Sequence, residues 1–168
     1  MALGCVETSN TRGMQISKPN PNGSDYTITA QPSDSSTLTN EPPQDRTWIS
    51  PGKVNIGNYY PGATADWVMT IHNGKPIPAQ FAIGYRNPDY TAEGYTKPLL
   101  ATEDWVIIAD ETPILAPYET REVGVTLKIP YGVKAVPAKW EYWISVIDKT
   151  QKGNVNTELC SRWLVDMR

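Results

Sequence analysis

The sequence predicts an all-β protein: a two-sheet antiparallel sandwich of about seven strands, preceded by an extended N-terminal arm. Three observations predict it. Apolar and polar residues alternate with period two in several segments from Lys53 onward. The 168 residues include 15 prolines and 12 glycines, which interrupt almost every window in which a helical repeat could run. The 6 Trp all lie beyond residue 45, as do 8 of the 9 Tyr, so the material for a core is confined to the larger part of the chain.

Residues 1–45 form the arm. They hold neither Trp nor Phe, and they are rich in proline and small polar residues, as in Ser17-Lys-Pro-Asn-Pro-Asn-Gly-Ser-Asp25. Such a segment cannot bury enough apolar surface to offset its own ordering entropy. It carries 2 basic and 5 acidic residues, a balance of -3 that equals the net charge of the whole chain. The exception to its character is Tyr26-Thr-Ile-Thr-Ala30, a short alternating piece that can add to a sheet edge, its own or a neighbour's. Tyr26 and Ile28 are therefore interaction candidates, and a partner is expected to order the arm.

Residues 46–168 form the sandwich. Lys53 to Gly57 is a short strand. Ala63 to Asn73 alternates Ala63, Ala65, Trp67, Met69 and Ile71 against Thr64, Asp66, Thr70 and His72, with turns at Pro61-Gly62 and Asn73-Gly74. On this parity His72, the one histidine of the chain, is a solvated strand-end residue. Ala79 to Arg86 places Phe81, Ile83 and Tyr85 on one face. Asp104 to Ala109 reads as a strand buried on both faces. Glu122 to Ile129 alternates Val123, Val125, Leu127 and Ile129 against polar partners. Lys139 to Lys149 carries Trp140, Tyr142, Ile144 and Val146 inward, and Cys160 to Met167 carries Trp163, Val165 and Met167. Seven strands in roughly 120 residues match the count and size of an immunoglobulin-like sandwich, with an antiparallel barrel as the next choice.

Three stretches strengthen this reading: Tyr60-Pro-Gly-Ala-Thr-Ala-Asp66 leading to Ile71-His-Asn73, then Ile114-Leu-Ala-Pro-Tyr-Glu-Thr-Arg-Glu-Val-Gly-Val-Thr-Leu-Lys-Ile-Pro130, then Trp140-Glu-Tyr-Trp-Ile-Ser-Val146. Their layout resembles bacterial and phage-borne immunoglobulin-like domains, which are similar to the fibronectin type III and major-sperm-protein sandwiches. The resemblance spans about residues 48–168. It implies a fold rather than an activity.

The chemistry expected of this chain is narrow. With a single histidine, no Gly-x-Ser-x-Gly turn and no glycine-rich phosphate loop, neither a catalytic nor a metal site is expected, and no cofactor. The pairs Glu103-Asp104 and Asp110-Glu111 flank a predicted strand and read as solvated strand ends rather than glycosidase acids. Net charge -3 gives no footprint for nucleic acid. There is no signal-peptide pattern at the N-terminus and no apolar run long enough to span a membrane. The cysteines, Cys5 and Cys160, stand at opposite ends and are expected as free thiols.

What remains points to contact surfaces. The connection Asn87 to Ala101 is long for a sandwich and offers Tyr90, Tyr95 and Lys97 to a protein or a sugar, unless the tyrosines cover the sandwich edge. Trp143 lies on the outward parity of its strand, opposite Trp140 and Tyr142, where a large aromatic covers something: the arm, a neighbour or a sugar ring. The function expected from sequence is a non-enzymatic structural protein. A phage head-decoration or tail protein suits these features: its arm would anchor it to neighbouring virion subunits or copies of itself. Such a protein is assembled in the host cytoplasm and needs no export signal. A carbohydrate-binding or adhesin module is the alternative, with a glycan as partner.

Overall fold

In the computed structural model the described residues are 16–17, 27–32, 43–98, 103–133, 138–150 and 157–168. They form eleven strands and one short 3-10 helix. The arm contributes β1 (Ile16–Ser17) and β2 (Thr27–Pro32). The body contributes β3 (Trp48–Ser50), β4 (Lys53–Tyr59), β5 (Thr64–His72), β6 (Ala79–Arg86), β7 (Val106–Ile108), β8 (Ile114–Leu115), β9 (Thr120–Lys128), β10 (Lys139–Asp148) and β11 (Glu158–Met167).

Two sheets face each other. The larger has the order β1-β2-β4-β11-β10-β6-β8, the smaller β3-β5-β9-β7. The expected all-β sandwich is what the chain forms. Its pairings are antiparallel except β4 with β11, which run parallel. The core lies where the alternating faces predicted it. Trp67, Met69 and Ile71 of β5 and Val123, Val125 and Leu127 of β9 meet Phe81, Trp140, Tyr142, Ile144, Trp163 and Val165 of the larger sheet. Trp67 and Trp163 meet edge to face across the two sheets, centroids 6.4 Å apart.

Several strands differ from their sequence-level description, each for a local reason. The body has two strands that alternation does not show, β3 and β8, which are 3 and 2 residues long and so too short to display a period. The strand expected to end at Gly57 continues to Tyr59 through a β-bulge. Ile56 pairs Val165 and Tyr59 pairs Met167, so one extra residue is accommodated, and Asn58 takes φ 56° to do it. The bulge reverses parity and turns Tyr59 into the core, where it is fully buried.

The segment expected as a doubly buried strand from Asp104 to Ala109 is instead a 3-10 turn, Glu103–Trp105, followed by the three-residue β7. As the edge of the smaller sheet, β7 leaves Ile107 52% exposed. The turns at Pro61-Gly62 and Pro117-Tyr118 each close on an i→i+3 hydrogen bond, Ala63 N–H to Tyr60 O and Glu119 N–H to Ala116 O. Both need a positive φ at the third residue. Gly62 supplies it at 89°, and Tyr118 adopts 58°.

His72 is not solvated as its parity suggested. It is fully buried, because Trp48 of β3 stacks on it with centroids 5.2 Å apart. Its Nε2–H donates to the Gln44 carbonyl at 2.9 Å, and its Nδ1 is hydrogen-bonded to the Thr120 hydroxyl at 2.9 Å. Both ring nitrogens are thereby engaged in tying β5 and β9 to the end of the arm connection. Cys160 is not a free thiol either. It is disulfide-bonded and fully buried.

Candidate functional site

The outer face of the larger sheet is where the structure concentrates its unusual side chains. In β10 the core takes Trp140, Tyr142, Ile144 and Val146, and alternation sends Glu141, Trp143 and Ser145 outward. Yet all three outward residues are buried. The cover over Trp143 is the connection after β6. Tyr90 stands edge-on to the Trp143 ring, with centroids 5.1 Å apart. Arg86 and Arg162 place their guanidinium groups 5.7 and 6.0 Å from the same ring centroid.

Glu141 organises this cluster. Its carboxylate accepts from Arg162 Nε at 2.7 Å, from Trp143 Nε1 at 2.6 Å and from the Ala92 amide at 2.6 Å. Burial pushes its pKa up, but the hydrogen bonds from Arg162, Ala92 and Trp143 outweigh it and hold the carboxyl below the usual glutamate range. A charged carboxylate thus bolts the connection to the sheet through a backbone amide. Arg86 extends the network, reaching Asp89 at 2.7 Å and forming an ion pair with Glu158.

The sequence-level candidates fall into three groups. Tyr90 and Trp143 are brought together, with Trp143 at 1% exposure beneath a Tyr90 that is itself 55% exposed. Trp143 consequently offers no open face for a sugar ring to stack on. Tyr95 and Lys97 lie further along the same connection. Tyr95 is half-buried with the Lys139 ammonium 5.8 Å from its ring centroid, and Lys97 is exposed. Between them Thr96 bridges to Trp140, which holds this end of the connection to the edge of β10. Ile28 belongs to β2, and Tyr26, Leu99 and Leu100 lie outside the described residues.

Sequence reasoning missed Arg86, Glu141 and Arg162. An outward Glu and Trp two positions apart in β10 were the available signal, since an outward Trp needs a lid and its indole N–H needs an acceptor.

The second feature is the edge that the arm covers. β2 pairs antiparallel with β4 through Thr29↔Gly57, Ala30↔Ile56, Gln31↔Asn55 and Pro32↔Val54, and β1 pairs with β2. The alternating piece of the arm is therefore an added strand on the larger sheet of its own body.

Among the described residues no group of three or more His, Cys, Asp or Glu is placed to hold a metal ion. A cleft of about 280 Å³ opens between the sheets at the β10–β11 end, over Phe81, Val146 and Leu159. The Lys75–Asp148 ion pair forms part of its wall. No helix among the described residues is long and apolar enough to cross a membrane.

No protein-family model and no curated protein matches the chain. Solved structures do match. The ASH / PapD-like domain of human CEP192 (PapD-like domain 7) is similar with a TM-score of 0.55 at 14% identity, over 81% of this chain and 94% of that one. A protein of unknown function from Porphyromonas gingivalis W83 is similar with a TM-score of 0.52 at 12% identity, over 72% of this chain and 47% of that one. At these identities the likeness shows the fold alone: an immunoglobulin-like β-sandwich.

Proposed function

We propose that this protein is a non-enzymatic assembly subunit, a phage virion component of the head-decoration or tail type, whose arm strand joins it to its neighbours. The observation that carries the reading is β2 on β4. An edge strand supplied by a separate arm is held mainly by backbone hydrogen bonds, which any copy of the same segment can make. The ten residues 33–42 separate β2 from the described body, and an extended chain of that length reaches about 35 Å. The arm can thus occupy the β4 edge of its own body or of an adjacent copy. Repetition over a lattice would offset the ordering entropy of each arm. The body supplies a rigid block, and the bolted connection carrying Tyr90, Tyr95 and Lys97 supplies a second, side-chain-rich contact surface. A virion location, reached by assembly in the host cytoplasm, is part of this proposal.

The test is the mass in solution of the full chain and of the double variant Thr29→Pro/Ala30→Pro, by light scattering across a concentration series. Adjacent prolines remove amide donors from both edges of β2. Assembly of the full chain that the variant lacks supports exchange of the arm. Equal assembly by both assigns self-association to another surface. A monomer at every concentration leaves a different virion protein as the partner and removes the self-assembly reading.

A further inference from the structure

The two sheets end in edges of different kinds. At the β8 edge of the larger sheet, side chains close off the backbone. The Asp110 carboxylate caps the Thr112 amide at 3.2 Å, and the Glu119 carboxylate caps the Ala116 amide at 2.6 Å. The β7 edge of the smaller sheet has no such cap among the described residues. β7 pairs with β9 through Val106↔Leu127, Ile107↔Thr126 and Ile108↔Val125, and Ala109 continues the ladder with its N–H on the Gly124 carbonyl at 2.9 Å. Ala109 and Ile107 therefore turn their backbone groups toward β9. Val106 and Ile108 turn theirs away from it, to a side where no described strand pairs with β7.

This edge is held rigidly. Val106 is buried, Ile108 packs against the core, and Trp105 just before them stands edge-on to Trp140, centroids 6.3 Å apart. Ile107 is the outward, half-exposed side chain. Glu103-Asp104 precede the aliphatic run and Asp110-Glu111 follow it, with no basic residue between Glu103 and Glu111. Asp104 and Glu111 are exposed.

We infer that the β7 edge is a docking site for an extended segment of a different protein, antiparallel to β7, aliphatic at its centre and carrying Lys or Arg on both sides. The N–H and C=O groups of Val106 and Ile108 supply the backbone bonds. Ile107 meets the segment's central side chain at the close, non-hydrogen-bonded position. The carboxylates at both ends of β7 select a basic partner. They also reject a second copy of this chain: antiparallel self-pairing about Ile107 sets the Glu103-Asp104 end of one β7 against the Asp110-Glu111 end of the other. β7 and the arm-bearing β4 belong to different sheets, so this contact stands whether or not arms exchange.

The experiment uses the full chain and a labelled seven-residue peptide, Val and Thr alternating between terminal lysines, with a twin that ends in glutamates. Fluorescence anisotropy reads binding, and amide hydrogen exchange reads its place. The lysine peptide is expected to bind at least about tenfold more tightly than its twin, and more weakly as salt rises. On binding, the Val106 and Ile108 amides should slow at least about tenfold, while the Ile107 amide, already turned to β9, should not change. The double variant Asp104→Lys/Glu111→Lys alters two exposed side chains and is expected to reverse the preference between the peptides without moving the unfolding midpoint. Slow exchange at Val106 and Ile108 before any peptide is added overturns the inference, because the edge is then already paired. So does a lysine peptide that does not bind, that binds no better than its twin, or that leaves those two amides exchanging as before. An unchanged preference in the folded double variant overturns it as well. Arm exchange is judged separately, by the mass of the full chain without peptide.

Discussion

Arg162 and Glu141 form an ion pair across neighbouring strands, Nε to Oε1 at 2.7 Å, with the carboxylate fully buried on what alternation makes the outer face of the sheet. Two further donors, the Trp143 indole and the Ala92 amide, complete the site. A buried carboxylate with three kinds of donor is stabilising only while all of them are present. Glu141→Ala strands Arg162 and two N–H groups, and is expected to cost about 3–5 kcal/mol in denaturant unfolding. Glu141→Gln keeps the shape and loses the charge, at a smaller cost.

The same carboxyl sets an acid limit. Its pKa in the folded chain lies below the unfolded value of 4.5, so the folded state binds its proton less tightly. The stability it contributes is fully present above pH 4.5 and falls as pH drops through the folded pKa. Wild-type unfolding free energy should therefore decline below that pH more steeply than that of Glu141→Gln. Parallel pH profiles would remove Glu141 from this role.

Tyr90 acts as the lid on Trp143. Tyr90→Ala removes an edge-on aromatic partner, worth about 0.5–1.5 kcal/mol, and opens the indole to water. Among 6 tryptophans the change is read as a difference spectrum: a red-shifted emission component and a new fraction quenched by acrylamide, both absent in the double variant with Trp143→Phe. If Tyr90→Ala leaves emission and quenching untouched, another group shields Trp143.

Alternation made most of the fold legible, because one face of β5, β9, β10 and β11 meets the core and period two survives there. Ala79 to Arg86 is a strand at the bounds its pattern predicts. Pattern fails where residues distant in sequence shield the outer face. His72, stacked by its cross-strand partner Trp48, and Trp143, beneath Tyr90 of the connection after β6, lie on the parity facing away from the core, yet each is buried. It also fails at the bulge, where Asn58 changes the parity of Tyr59. The Glu141 cluster was half legible: Trp143 and Tyr90 stood out by type and place. Nothing in the spacing of Arg86, Glu141 and Arg162 showed that β6, β10 and β11 bring them together, since that pairing depends on long-range topology.

Gly74 marks the join between β5 and the arm connection. A Cβ added there would meet the Arg46 backbone at 2.1 Å, and backbone cannot swing aside as a flexible side chain can. Gly74→Ala must displace residues 45–47, which lead into β3 and its cover over His72. A loss of about 1–3 kcal/mol is expected from overpacking, with altered near-ultraviolet circular dichroism from the moved Trp48. A variant as stable as wild type would show that this crossing can spread.

Tyr59, turned inward by the bulge, fastens the two sheets together. Its hydroxyl donates to the Ala63 carbonyl at 2.7 Å and accepts the Ile129 amide at 3.0 Å, linking β4 to the start of β5 and the end of β9. Burial, only partly offset by the Ile129 hydrogen bond, raises its pKa from 10.0 to about 12. A raised pKa means the folded state holds the proton more tightly. This contribution is therefore complete below pH 10.0 and is lost as pH rises toward about 12. Tyr59→Phe leaves the Ile129 amide without its partner and should cost about 1–3 kcal/mol at neutral pH. The variant should also lose less further stability than wild type above pH 10.0. Equal alkaline slopes would place the limit elsewhere, first at Tyr142, whose fully buried hydroxyl is also raised well above the ordinary value. Tyr142→Phe would then be the variant that flattens the profile.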